Sequence, residues 1–340
     1  MAIQRIVLCI AGALLSCAIP ALADGPVVVN ALNFVRAETD RYFSRYAAQG
    51  AFGKLNHLRR PTSIEEQDII RMNRDTLYSI GVFDLANPIT VRKPDPKGRF
   101  QSMLAINQDH YVVGIEHDGG DFTFAQEEVG TRYMIVFFRT FMDPADEDDV
   151  DAANALQDAI AIEQSDPGTF DVTDWDEVSL DRTRGLLLAL AADYRGTTEG
   201  TFGSKDEVDP IKHLIGSAAG WAGNPIEAAL YAGVFPVQSD GKLPHALTVS
   251  DVPVDGFWSL TVYSDDGYMV ANATDAYSVN NVTAQTNYDG SVTVHFGGCE
   301  DARVNCLPIM KGWSYVVRMY QPQAEILEGR WSFPKAKPTK

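Results

Sequence analysis

The residue types best suited to chemistry in this chain fall in three short clusters. Asn73-Arg74-Asp75, followed by Tyr78, is the densest polar group of the first half. A guanidinium at position 74 can hold an anionic substrate group through two parallel hydrogen bonds, with Asp75 as base and Tyr78 as proton donor. The alternative is an Arg–Asp structural pair at a strand entrance. Asp109-His110-Tyr111 opens the second cluster and Glu116-His117-Asp118 closes it. His110 assisted by Asp109 offers a general base, against the alternative of a hydrogen-bonded structural histidine. On a regular strand His110 and Glu116 face one way and His117 the other, so a joint metal site would need a bulge. In the third cluster Arg318 and Tyr320 share a face of an otherwise apolar run. There the arginine either pairs with an acid or reaches into a cleft between domains. The candidates are therefore Arg74, Asp75, Tyr78 and His110 for catalysis, with Asn73, Asp109, Arg318 and Tyr320 for ligand binding.

Signatures of other chemistries are missing. Gly216-Ser217-Ala218-Ala219-Gly220 has the glycines of a nucleophile elbow at the wrong spacing, and it lies on a predicted helix. There is no H-E-x-x-H, no P-loop and no dinucleotide fingerprint, so neither a metal nor a cofactor is expected. Six of the nine residues 143–151 are acidic but lack EF-hand spacing. They read instead as a helix start, with Asp143 as N-cap, Pro144 at the first helical position and acids complementing the dipole.

The elements that must position these residues are mostly strands. Phe257 to Tyr263 alternates, placing Trp258, Leu260 and Val262 on one face; Ser291 to Phe296 and Trp313 to Tyr320 repeat the period. With Asp266-Gly267 and Asp289-Gly290 as turns, and Asp240-Gly241 as a hairpin turn, this predicts an antiparallel sheet packed on one face. Residues 77–140 are strand-like, interrupted by Pro94-Asp95-Pro96 and Asp118-Gly119-Gly120, and residues 133–138 are apolar on both faces like a central strand. Helices are predicted over residues 28–48, 145–164, 175–194 and 206–221. Aromatic residues at Trp258, Tyr263, Tyr268, Trp313, Tyr315, Tyr320 and Trp331 either fill the core or offer flat faces to a ligand.

Asn73 to Ser79, Gln108-Asp109-His110-Tyr111, Gly130-Thr131-Arg132-Tyr133, Asp206 to Pro210, Asp255-Gly256-Phe257-Trp258-Ser259 and Asn305-Cys306-Leu307-Pro308 occur in this order. The chain thereby resembles bacterial exported proteins that join the domains of unknown function DUF1254 and DUF1214. The resemblance implies β-rich domains with helical insertions and carries over no established catalytic residue. Some relatives bear an esterase label, to which the 216–220 segment adds nothing.

Residues 1–23 have one basic residue, Arg5, an apolar run from Ile6 to Leu15, and end in Ala21-Leu22-Ala23. This is the pattern of a secretory signal peptide cleaved near Ala23, giving a periplasmic or secreted protein. Lipidation of Cys17, after Leu14-Leu15-Ser16, is the alternative. No later run could span a bilayer. The formal net charge of −18 disfavours nucleic acid and anionic membranes. Beyond the signal only Cys299 and Cys306 remain, and in an oxidising compartment they are expected to form a disulfide worth about 2 kcal/mol.

The expected fold is α+β and β-rich: two antiparallel β-sandwich-like domains with a helical insertion between them. Its parts are residues 24–142, 143–222 and 223–340. Two functions stay open. One is an enzyme of undefined, hydrolytic reaction on a small molecule; the other is a non-catalytic ligand-binding or envelope-interaction protein. A homo-oligomer is compatible with either.

Overall fold

The computed structural model describes residues 25–67, 70–192 and 198–339. The expected signal segment, its expected cleavage near Ala23 and Cys17 fall outside the described residues. In the first half, β1 (Asn56–His57), β2 (Thr76–Asp84), β3 (Ile89–Lys93), β4 (Gln101–Asn107), β5 (Val112–Glu116), β6 (Gly120–Phe124), β7 (Tyr133–Phe141) and β8 (Ala161–Gln164) form two antiparallel sheets. Their orders are β1-β2-β7-β4-β5 and β6-β3-β8. Strand β7 is central and buried along its whole length, as its unbroken apolar run requires.

Helices α1 (Phe34–Tyr46), α2 (Gln126–Val129), α3 (Glu147–Asp158), α4 (Glu177–Ala192) and α5 (Pro210–Ala219) belong to the same half. Tyr42, Phe43 and Tyr46 of α1 pack with Trp221 on Ile80, Leu104 and Ile135, covering one face of the five-stranded sheet. Phe83, Met103, Val136 and Phe138 fill the space between its other face and Ile89 and Val91 of the three-stranded sheet. Helices α4 and α5 back α1 through Leu180, Leu187 and Ala218, and α3 rests on Leu77 and Met142.

The second half is a sandwich of β9 (Ala229–Val234), β10 (His245–Val249), β11 (Trp258–Tyr263), β12 (Ser278–Asn280), β13 (Val292–Phe296), β14 (Cys306–Leu307), β15 (Ser314–Tyr320) and β16 (Lys337–Pro338), with α6 (Ala324–Leu327) between the last two. The sheets are β12-β11-β15-β9 and β14-β13-β10-β16. Trp258, Leu260, Val294, Phe296, Trp313 and Tyr315 meet between them. This is the β-rich, two-layered architecture expected from alternation and turn chemistry. Cys299 and Cys306 are joined by a disulfide.

Local readings need correction. Strands β11 and β13 belong to opposite sheets of the sandwich, and β14 joins β13 in parallel. The 240–241 turn carries the chain from one sheet to the other, between β9 and β10, and closes no hairpin. Strands β11 and β15 are buried on both faces, because the face bearing Tyr263, Val316 and Tyr320 packs on Met72, Phe141 and Phe100 of the first half. The N-cap of α3 is Asp146, whose carboxylate accepts from the amides of Asp148 and Asp149. Asp143 instead accepts from Ala145 N in the preceding turn. The helix expected over residues 145–164 stops at Asp158, since residues 161–164 gain more by pairing with β3. Helix α5 starts at Pro210 behind the Asp209 cap, and α1 starts only at Phe34, leaving Leu32 exposed.

Candidate functional site

The chain enters β2 through Asn73-Arg74-Asp75, and all three side chains reach across to the second half. Asn73 Nδ2 donates to Tyr320 Oη at 2.7 Å, while Asn73 Oδ1 accepts from the Asp75 amide. Arg74 donates to Thr62 O, lies over the Tyr277 ring at 4.8 Å, and faces Asp275 at 3.6 Å. Asp75, fully buried, accepts from Ser278 Oγ and Asn280 Nδ2 at 2.9 Å each through Oδ1. Its Oδ2 is buried without a hydrogen-bond partner.

Arg318 completes this seam from β15. It donates to Thr261 Oγ1, Tyr263 Oη and the carbonyls of Arg71 and Met72, at 2.6–3.3 Å. Burial opposes its charge, but Tyr263, Tyr320 and Asp75 more than offset that and hold its pKa above the ordinary guanidinium value. Burial also raises the Tyr320 hydroxyl well above the usual phenol range, with Tyr231 adding to the rise, so it stays protonated. Tyr78 lies under the buried Arg139 guanidinium, 5.7 Å from its ring centre, and Arg139 donates to Ala222 O.

His110 belongs to a different neighbourhood. It occupies a left-handed turn (φ 62°) between β4 and β5, held by Asn107 Oδ1 accepting from the amides of Asp109 and Tyr111. Its Nε2 accepts from Ala222 N at 2.9 Å, so Nδ1 carries the proton and donates to Ser217 Oγ at 2.9 Å. Ser217 in turn donates to His213 O. This polarity is opposite to that of a serine activated by a histidine base, and both side chains are buried. Burial first, then His213, drives the His110 pKa well below 6.5. Asp109 pairs with Arg36 at 2.6 Å.

Thus Asn73, Arg74, Asp75, Arg318 and Tyr320 come together in the seam, Tyr78 adjoins it beside Arg139 with both in electrostatic reach of Tyr320, and His110 and Asp109 lie by α5 and α1. Among the described residues no three His, Cys, Asp or Glu side chains converge as a metal set, and no helix is long and apolar enough to cross a membrane.

Beside the seam a cleft of about 480 Å³ opens between the two halves. Its floor is aromatic. Phe257 stacks on Tyr320 at 4.4 Å, Phe100 meets Phe257 edge-on at 5.1 Å, and the His117 ring lies 5.6 Å from Phe100. Asp95, Asp118 and Asp255 stand exposed around it. Burial and the nearby Lys93 lower His117 to about 4, so the ring is neutral at pH 7, and its Nδ1 is buried without a partner. Lys93 donates to His117 O at 2.6 Å and is itself brought down to about 8 by burial, against the pull of Asp118, Asp95 and Glu116. Gln101 gives its amide hydrogen to Thr140 Oγ1, and its buried Oε1 has no partner.

The sequence offers His117 only for a joint metal site with His110 and Glu116, holds Asp255 only within the family motif, and gives no sign of Phe100 or Gln101. The two interruptions at 94–96 and 118–120 were the available signal, because their loops meet at the cleft. A Cβ on Gly119 would lie 2.7 Å from Asp95 N, so only glycine permits that approach. A second cavity of about 370 Å³ lies against the disulfide. Its polar groups are already engaged, Arg303 by Asp301 and Asn305 by Gln285 O and Thr293 O.

A solved structure of the VPA0106 protein of Vibrio parahaemolyticus shares this fold, with a TM-score of 0.67 and 19% identity over 91% of this chain and 98% of that one. An uncharacterised protein from Burkholderia cenocepacia aligns with a TM-score of 0.49 and 14% identity, over 86% of this chain and 84% of that one. No curated protein matches the sequence. The family model for proteins of unknown function DUF1254 matches residues 52–164 and that for DUF1214 matches residues 237–324. The chain therefore belongs to the proteins that carry a DUF1254 region followed by a C-terminal DUF1214 region.

Proposed function

We propose that this protein is an exported binder of small molecules that seats its ligand in the cleft between its two halves. The observation that carries this reading is the cleft itself: about 480 Å³, with an aromatic floor, unpartnered polar atoms on Gln101 and His117, and carboxylates around it. That volume and that mixture of apolar surface with a few polar groups are what small-molecule sites have. Export is supported by the signal pattern of residues 1–23 and by the Cys299–Cys306 disulfide, a bond that persists in oxidising compartments. In this reading residues 24–142 and 223–340 supply the walls, and residues 143–222 add helices that back the first.

Hydrolysis by Arg74, Asp75, Tyr78 and His110 has less support. Arg74 and Asp75 are engaged across the seam, and His110 is bonded on both ring nitrogens elsewhere. A thermal-shift screen of the mature protein and its Phe100→Ala variant tests the binding reading. Compounds that stabilise the parent should lose that effect when the floor is removed. Turnover of an ester, amide or glycoside panel that Asp75→Asn abolishes without unfolding the protein would favour the enzyme instead.

A further inference from the structure

Building on that cleft-binding reading, we infer that the ligand is an organic ammonium ion: a primary amine with an apolar body. The cleft is lined by four carboxylates, Asp95, Asp118, Asp149 and Asp255, and by one guanidinium, Arg99. That guanidinium is already committed. It donates to both oxygens of Asp149, at 3.0 and 2.5 Å, and to Phe141 O at 2.8 Å. Among the described residues Asp95, Asp118 and Asp255 form no ion pair. Lys93 is 4% exposed and spends a donor on His117 O, and Lys97 stands exposed on the loop that carries Asp95. The cleft thus faces its ligand with three exposed carboxylates outside any ion pair, which favour a positive charge and repel a negative one.

The second observation is independent of charge. Gln101 is 1% exposed and lines the cleft, its amide nitrogen is taken by Thr140, and the remaining Oε1 is a buried acceptor without a donor. A buried acceptor left unpaired costs free energy that a ligand N–H recovers. A quaternary ammonium has no such hydrogen, and an anion brings only acceptors. The half-buried Phe100 and His117 rings offer faces for the apolar body and for cation–π attraction. An amino acid fits less well, because its carboxylate would find no free guanidinium.

Isothermal titration calorimetry with three near-isosteric probes tests this: 2-phenylethylammonium, neutral 2-phenylethanol and anionic 3-phenylpropionate. The amine should bind and the other two should bind at least about tenfold more weakly. Raising the salt from low to high concentration should weaken the amine several-fold, since the carboxylates are exposed. Asp118→Asn, on the exposed rim, should cost about threefold and flatten the salt dependence, and Gln101→Leu should cost about tenfold. Equal or tighter binding of the alcohol or the acid overturns the ammonium assignment while leaving the cleft as a binding site. Failure of all three probes also overturns it, and the thermal-shift screen then decides separately whether the cleft binds anything. Amine binding that neither variant changes places the ammonium elsewhere and overturns the assignment as well.

Discussion

Tyr320 Oη accepts a 2.7 Å hydrogen bond from Asn73 Nδ2, and the same Tyr320 ring stacks on Phe257 at 4.4 Å. One side chain therefore ties the seam to the floor of the cleft. Tyr320→Phe keeps the stack and removes the acceptor, leaving Asn73 Nδ2 with only Thr76 Oγ1 at 3.5 Å. The expected cost is about 1–2 kcal/mol in urea unfolding with an unchanged m-value. A variant as stable as the parent would mean that the Asn73 bond contributes nothing to the seam.

Arg318 is expected to matter more. Its guanidinium serves Thr261 Oγ1, Tyr263 Oη and two backbone carbonyls while facing the buried Asp75. Arg318→Met would strand those acceptors and leave Asp75 without its cation, costing about 3–5 kcal/mol. Arg318→Lys retains the charge but has three donors on one atom, which cannot span the same four acceptors. It should still lose about 1–3 kcal/mol. Full recovery of stability by lysine would show that only the charge counts.

How far the sequence discloses this seam depends on distance along the chain. Alternation in β15 separates Trp313, Tyr315, Val317 and Met319, which fill the sandwich, from Arg318 and Tyr320 on the opposite face. Local periodicity identifies a second face but carries no information about what covers it, and here the cover is Asn73, 247 residues away. Strand β8 failed for a related reason. Ala159 to Gln164 is compatible with helix, and only the free edge of β3 makes strand the better outcome. The cleft was the least legible feature, because it exists only where loops from both halves meet.

Ser217 and His110 form an arrangement that resembles a nucleophile with its base, and its polarity argues that it is a structural lock joining α5 to the turn after β4. Ser217 should therefore resist labelling by a fluorophosphonate probe. Ser217→Ala should lower stability by about 1 kcal/mol through the lost hydrogen bonds. Covalent labelling of the parent that disappears in Ser217→Ala would restore the hydrolase reading.

The His117 ring gives the fold a pH dependence of defined sign. Burial and Lys93 bring its pKa from 6.5 to about 4, so between those values the unfolded chain binds a proton that the native chain refuses. Stability from this group is complete above pH 6.5 and is lost as pH falls toward 4. A fully buried ring would contribute up to about 3 kcal/mol across that window; partial contact with water makes about 2 kcal/mol the better expectation. Lys93, lowered only to about 8, stays protonated throughout. Glu38 and Asp40, whose carboxyls burial pushes up, act in the opposite sense in any variant of position 117. His117→Phe keeps a ring against Phe100 and removes the titration, so the difference between parent and variant urea-unfolding profiles isolates this histidine. The parent should lose about 2 kcal/mol more than the variant between pH 7 and pH 4. Parallel profiles would mean that the ring is hydrated well enough to titrate normally, and the floor of the cleft would then be wetter than its packing indicates.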